Sequence, residues 1–163
     1  MSPAIPKSRA PKGYVCPICL GVQRIENERT VMKPTDIVYQ DELVTVFINS
    51  FFSGHNNDGF AIVVPNEHYE NIYILPPKYG HHIFDVAQKV AIAMKHAYGC
   101  DGITTRQNNE PAGDQHAFHF HFHVWPRYEN DGYNRQEPKD KWLAPPEVRA
   151  AFAQKLRAAF GTP

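Results

Sequence analysis

The chain has 163 residues, 42% of them hydrophobic, and its 17 basic residues balance 17 acidic ones. A chain of this length makes one domain that buries roughly 70% of its unfolded surface, and zero net charge excludes a general field for nucleic acid or anionic membrane, so any anion must be caught by local groups. No apolar run approaches the ~20 residues of a spanning helix, the opening residues lack a secretory-type apolar segment, and three cysteines are too few for a disulfide framework; the expectation is a soluble cytoplasmic protein with a small-molecule partner.

Residues 1–13 hold three prolines and little to bury, which reads as a disordered arm. Next comes Cys16-Pro17-Ile18-Cys19-Leu20-Gly21, a Cys-x-x-Cys in a tight turn. Two thiolates at this spacing reach one metal ion, and the small residue after them lets the backbone fold round it. A redox pair is one alternative, although the strand and helix context it needs is absent; two idle core cysteines are another. The turn supplies only two ligands, so the others must come from His55, His68, His81, His82, His96, His116 or a histidine row further on. Asp36–Gln40 and Leu43–Asn49 flank Asp41-Glu42 and predict a hairpin. Phe60–Val64 reads as a buried strand closed by Pro65. Ile83, Val86, Ala87, Val90, Ala91, Met94 and Ala97 recur at helical spacing, predicting a helix over Lys78–Tyr98 capped by Gly99. Strands are predicted at Gly102–Gln107 and Ala117–Trp125, then a polar loop through Lys141. Pro145-Pro146 opens a last helix to Phe160 with Val148, Phe152, Leu156 and Phe160 along one stripe. This order predicts an α+β domain around an antiparallel sheet.

Within the predicted strand Ala117–Trp125, His119, His121 and His123 alternate with Phe120, Phe122 and Val124. On a strand, alternate side chains leave the same face about 7 Å apart, so the imidazoles should line a site while the apolar residues face the core. Such a row has two chemical uses. It can hold a metal, as His-x-His pairs do, or a neutral imidazole can attack phosphorus to give a reactive phosphoramidate that water opens. The loop before it contains Asn108, Asn109, Gly113 and Gln115, amide donors plus a glycine that lets backbone approach an anion, and no carboxylate lies on the strand. Phosphate suits that composition better than a carboxylate-assisted metal.

The run His119-Phe-His121-Phe-His123-Val-Trp125, preceded by Gln115 and followed by Pro126-Arg127, resembles the signature of the histidine triad nucleotide hydrolases and transferases. Ala61–Pro65 followed by Asn66-Glu67-His68 is similar to that family's strand ending, and Cys16-x-x-Cys19 to the opening of its zinc-containing bacterial branch. The resemblance spans residues 14–128, leaving 129–163 as a polar loop and a helix packed on the domain. It implies a five-stranded antiparallel sheet flanked by helices, a homodimer, and a nucleotide across the sheet face. It further implies that His121 attacks the α-phosphorus, that His123 serves a phosphate oxygen or the departing group, that Asn49 binds ribose, and that Asn108 and Gln115 contact phosphate. Cys16, Cys19, His68 and His119 would hold a structural zinc. The implied substrates are dinucleoside polyphosphates or nucleoside phosphoramidates.

Two positions depart from the family pattern. Phe60 stands where a histidine is common, so proton handling near His123 is altered unless nearby His55 substitutes. His116 stands where Ser or Thr is common and adds a cationic phosphate contact. Phe60 motivates a rival reading, a nucleotide-binding regulatory module with little turnover; a mononuclear metal oxygenase using the row is a third.

Overall fold

The protein is described by a computed structural model covering residues 7–52, 57–133 and 141–160. Cys16 has extended backbone and its sulfur accepts from the Cys19 amide, so with Pro17 in the first turn it starts a short helix, α1 (Pro17–Val22). A 3₁₀ turn, Pro34–Asp36, leads into β1 (Ile37–Gln40), so Asp36 belongs to the turn and not to the predicted strand. Asp41 makes the hairpin: its Oδ1 accepts the amides of Leu43 at 2.9 Å and Val44 at 2.8 Å, and β2 (Val44–Ile48) returns antiparallel to β1.

The chain continues through a two-residue strand β3 (Phe51–Phe52), then β4 (Ala61–Pro65), the long helix α2 (Pro77–Tyr98), β5 (Gly102–Gln107), β6 (Phe122–Arg127), a second two-residue strand β7 (Trp142–Leu143) and α3 (Pro146–Ala159). Gly99 ends α2 at φ 61°, its amide donating to the Lys95 carbonyl, as the glycine predicted. The main sheet has the order β1-β2-β4-β6-β5 and every pair is antiparallel, which bears out the five-stranded α+β expectation. The pairing of β3 with β7 was not predicted.

Alternation distributes the sheet side chains over two cores. Val44, Val46, Ile48, Ala61, Val63 and Val124 pack with Ile83, Val86, Val90 and Met94 of α2 and Leu156 of α3. On the other face Phe47, Phe60, Ile62 and Val64 pack with Ile18 and Val22 of α1, Met32, and half-buried Trp125. The predicted face of α2 is buried except that Ala91 and Ala97 are only partly covered and Ala93 is buried in addition.

One predicted element is misplaced. The strand expected at Ala117–Trp125 begins at Phe122, so of the three histidines only His123 lies on it. The cause is Pro65. The ladder between β4 and β6 stops at Val63 opposite Phe122, and two residues on, where the same register would set Pro65 opposite Phe120, the proline has no amide to donate. Phe120 instead donates its amide to the Tyr69 carbonyl at 2.5 Å, drawing residues before 122 off the sheet plane.

In the N-terminal arm, the Arg9 amide donates to Glu70 Oε1 at 2.7 Å and the Ser8 hydroxyl to Glu70 Oε2, so residues 8 and 9 lie against the domain; residues 1–6 fall outside the described residues. Among the described residues, no helix is long and apolar enough to cross a membrane.

Candidate active site and metal centre

Two sites meet at the segment His119–His123. Leaving the ladder lets His119 turn inward, where it is fully buried and its Nε2 meets the Pro65 carbonyl at 2.9 Å. A carbonyl only accepts, so Nε2 carries the proton and Nδ1 presents its lone pair. That Nδ1 lies 3.4 Å from both the Cys16 and Cys19 sulfurs, and His68 Nδ1 lies 3.3 Å from Cys19. All four donor atoms fall within 4.8 Å of one another. For a tetrahedral ion at the usual zinc distances, neighbouring sulfur and nitrogen ligands stand about 3.5 Å apart, so the spacing suits such an ion without rearrangement. The Pro65 carbonyl provides the outer hydrogen bond that fixes a ligating imidazole. Hydrogen bonding from Cys19 pushes the Cys16 thiol down to about 3, while the same bond and burial push Cys19 up. A second thiolate is thus resisted by the first, and a divalent cation is the group that would relieve the resistance.

Gly21 matters here through space. A Cβ on it would collide with the Met32 side chain that closes α1 against the sheet, so the small residue after the thiolates is required by close approach.

The next histidine uses the same backbone. His121 Nδ1 lies 2.6 Å from the His119 carbonyl and must donate to it, so Nε2 is left unprotonated. Burial lowers the pKa of His121 from the usual imidazole value, with the His119 carbonyl opposing; the ring is neutral at pH 7. Its centroid is 4.9 Å from that of His123, nearly perpendicular at 81°. His123 points to the α1 side of the sheet, the same side as Trp125 two residues on, and its cross-strand neighbours are Ile62 and Arg106. Burial, then the His121 ring and Arg106, hold its pKa well below the usual imidazole value. His123 Nδ1 is sealed from solvent with no hydrogen-bond partner among the described residues. Phe60 lies beside it at 5.9 Å between centroids and stacks flat on Trp125 at 3.5 Å and 13°. His55, considered as a substitute for the family histidine, lies outside the described residues.

The remaining site residues are placed as follows. Asn49 immediately follows β2, with Nδ2 donating to the Phe51 carbonyl at 2.6 Å. Asn108 accepts from Arg106 at 2.9 Å and donates to the Asp114 carbonyl at 2.8 Å. Gln115 is buried, its Oε1 accepting the Glu110 amide at 2.7 Å and its Nε2 donating to the carbonyls of Glu70 and Ala117 at 2.6 and 3.1 Å. Its amide therefore organises the loop, and a direct phosphate contact requires one of those bonds to open. His116 is exposed and meets Asp114 at 2.8 Å. Arg106 and Asp114, both beside this loop, pair with each other; sequence reasoning missed them, because neither belongs to a recognisable spacing.

The structure thus brings His121 and His123 together and Cys16, Cys19, His68 and His119 together, but the row is not one face of three equivalent rings. With His119 turned to the thiolates, two imidazoles of the row, His121 and His123, remain side by side, and among the described residues the three-histidine metal surface of the oxygenase alternative does not form.

Residues 30–130 match the family model of the HIT domain. An uncharacterised HIT-like protein of Borreliella burgdorferi is 35% identical over 106 residues, covering 61% of this chain and 71% of its own. Protein hit of Bacillus subtilis is 32% identical over 101 residues, covering 61% and 68%. A solved zinc-bound histidine triad family protein of Mycobacterium smegmatis superposes with a TM-score of 0.70 at 25% identity, over 89% of this chain and 92% of that one. From the paired imidazoles, the sheet that carries them and these likenesses together, the chain belongs to the HIT family.

Proposed function

We propose that the protein is a nucleotide hydrolase or nucleotidyl transferase acting through a covalent nucleotidyl-histidine at His121. The observation that carries this is the 2.6 Å contact between His121 Nδ1 and the His119 carbonyl. It leaves Nε2 bare for attack, and once Nε2 bonds to phosphorus the same carbonyl faces the imidazolium charge, stabilising it where it develops. The neutral state of the buried ring supports the same role. In this reading His123 donates to a phosphate oxygen, Asn49 holds ribose, Asn108 and the loop around Gln115 face the phosphates, and the substrates are dinucleoside polyphosphates or nucleoside phosphoramidates. The protein works in the cytoplasm, and a second copy of the chain is its partner in a homodimer, as the family resemblance implies. Cys16, Cys19, His68 and His119 hold a structural zinc, supported by the donor spacing and by the zinc-bound relative; when bound, the ion ties these segments together and takes no part in the reaction.

His121→Ala should abolish turnover while nucleotide affinity stays within about tenfold, because a nucleophile acts mainly on the transition state. Quenching the wild type in base during turnover should reveal a nucleotidyl mass on the peptide containing His121. Full activity in the variant sinks the mechanism. The regulatory-module reading is favoured by His123 Nδ1, which has no hydrogen-bond partner among the described residues; tight nucleotide binding with neither adduct nor turnover would establish it instead.

A further inference from the structure

Release of the departing group depends on what His123 can do with a proton. An imidazole delivers a proton from Nε2 by one of two routes: it starts as the cation, or it takes a replacement proton at Nδ1 while giving one up. Here the second route is closed among the described residues, because Nδ1 is sealed and unpartnered. The groups beside the ring are the flat Phe60–Trp125 stack and the apolar Ile62. The first route is opposed by position. Arg106, directly across the strand, is cationic and paired with Asp114, and the other imidazole in contact is His121, which carries positive charge in the proposed intermediate. The neutral ring keeps one capacity, donating a hydrogen bond from Nε2–H without losing the proton.

We propose, resting on the covalent His121 reading, that this site is specialised for nucleotidyl substrates whose leaving group departs as an acidic oxyanion, as in a phosphoanhydride, and discriminates against amine leaving groups, with Phe60 as the positioning residue that sets the preference. In the first step the lone pair of His121 Nε2 forms a bond to the α-phosphorus while the bond from phosphorus to the bridging oxygen breaks. The electron pair leaves on that oxygen, and no proton is needed. Water then attacks the same phosphorus, the phosphorus–nitrogen pair returns to Nε2, and the water's proton passes to solvent as the nucleoside monophosphate departs. A phosphoramidate differs only in the bond broken. Its nitrogen must be protonated before it leaves, because an amide anion is too basic to expel, and His123 in this setting does not supply the proton.

The test compares kcat/KM of the full chain on three substrates sharing one nucleoside monophosphate, in adenosine and guanosine series. One is a dinucleoside tetraphosphate, one the p-nitrophenyl ester, and one the N-alkyl phosphoramidate. Since a general acid contributes about 10²- to 10⁴-fold, the anhydride and the nitrophenyl ester should exceed the phosphoramidate by about a hundredfold or more, with the difference in the rate of adduct formation and not in KM. Phe60→His, which restores a polar neighbour, should narrow that ratio by about tenfold or more, and Phe60→Leu, which cannot relay a proton, should keep it. A wild-type phosphoramidate rate within tenfold of the anhydride rate overturns the proposal, and that comparison needs no variant to fold. Adduct formation with the preference inverted overturns this proposal alone; absence of adduct and turnover on every substrate overturns the covalent reading and this one with it.

Discussion

His119 and His121 each commit one ring nitrogen to a backbone carbonyl and leave the other for chemistry, and the His119 peptide serves both: its ring faces the thiolates and its carbonyl holds His121. His123 breaks the pattern, its sealed Nδ1 having no hydrogen-bond partner among the described residues, and this has a consequence for stability. Because burial lowers its folded pKa below the unfolded value of about 6.5, the unfolded chain takes up a proton first as pH falls. The contribution is complete above about pH 6.5 and is lost toward the folded value, at no more than about 1.4 kcal/mol per pH unit. Urea unfolding at pH 7.5 and 5.5 should show a larger loss for wild type than for His123→Leu; equal losses would mean the ring is not held neutral by the fold. The identities of these residues were legible from their alternation alone. Their separate orientations were not, since the chain leaves the ladder for reasons that lie at Pro65 and Tyr69, about fifty positions upstream.

Among the elements, α3 shows where periodicity misleads. The apolar stripe Val148, Phe152, Leu156 and Phe160 is only half-buried apart from Leu156, while Arg149 and Ala153 on the same helix are covered completely or nearly so. Arg149 reaches the carboxylate of Asp36 at 3.3 Å, with side-chain exposures of 2% and 0%, and donates to the Val31 carbonyl at 3.1 Å. A sequence assigns an arginine and an aspartate to the surface by default, and only the docking of α3 against the Pro34–Asp36 turn makes them a buried pair. Removing one partner strands the other, so Arg149→Ala should cost about 3–5 kcal/mol in denaturant unfolding, whereas Arg149→Met combined with Asp36→Leu should recover most of it. A single variant as stable as wild type would show that the ion pair does not hold the helix. The β3–β7 pair was illegible for another reason: two residues per strand carry no period. The hairpin, α2 and β4 were legible because each combines a turn or cap residue with several apolar positions, and β5 through its β-branched run Ile103-Thr104-Thr105 after Gly102.

Across the whole molecule, the Cys16, Cys19, His68 and His119 cluster joins segments that the sheet alone leaves separate: α1, the turn after β4, and the approach to β6. It also adjoins the row, because His119, whose ring meets the two sulfurs, is the residue whose backbone carbonyl meets His121 Nδ1. A structural ion in this place contributes directly to folding, since the unfolded chain offers no preformed site. Protein purified without added metal should contain about one zinc per chain, and Cys16→Ser should lose both the metal and several degrees of Tm, at about 2–4 °C for each kcal/mol lost in a chain of this size. The loss should extend to kcat, because the proposed nucleophile His121 donates to the carbonyl of His119, a member of the cluster, while the proposed ribose contact Asn49 lies outside it. A brief exposure to chelator, too short to open α1, should leave activity intact, as expected of an ion that holds structure and takes no part in the reaction. Iron in place of zinc, with activity rising and falling with the iron, would overturn that role, because it would make the ion a reactant where the donor set, closed by two sulfurs and two nitrogens, leaves no position for one.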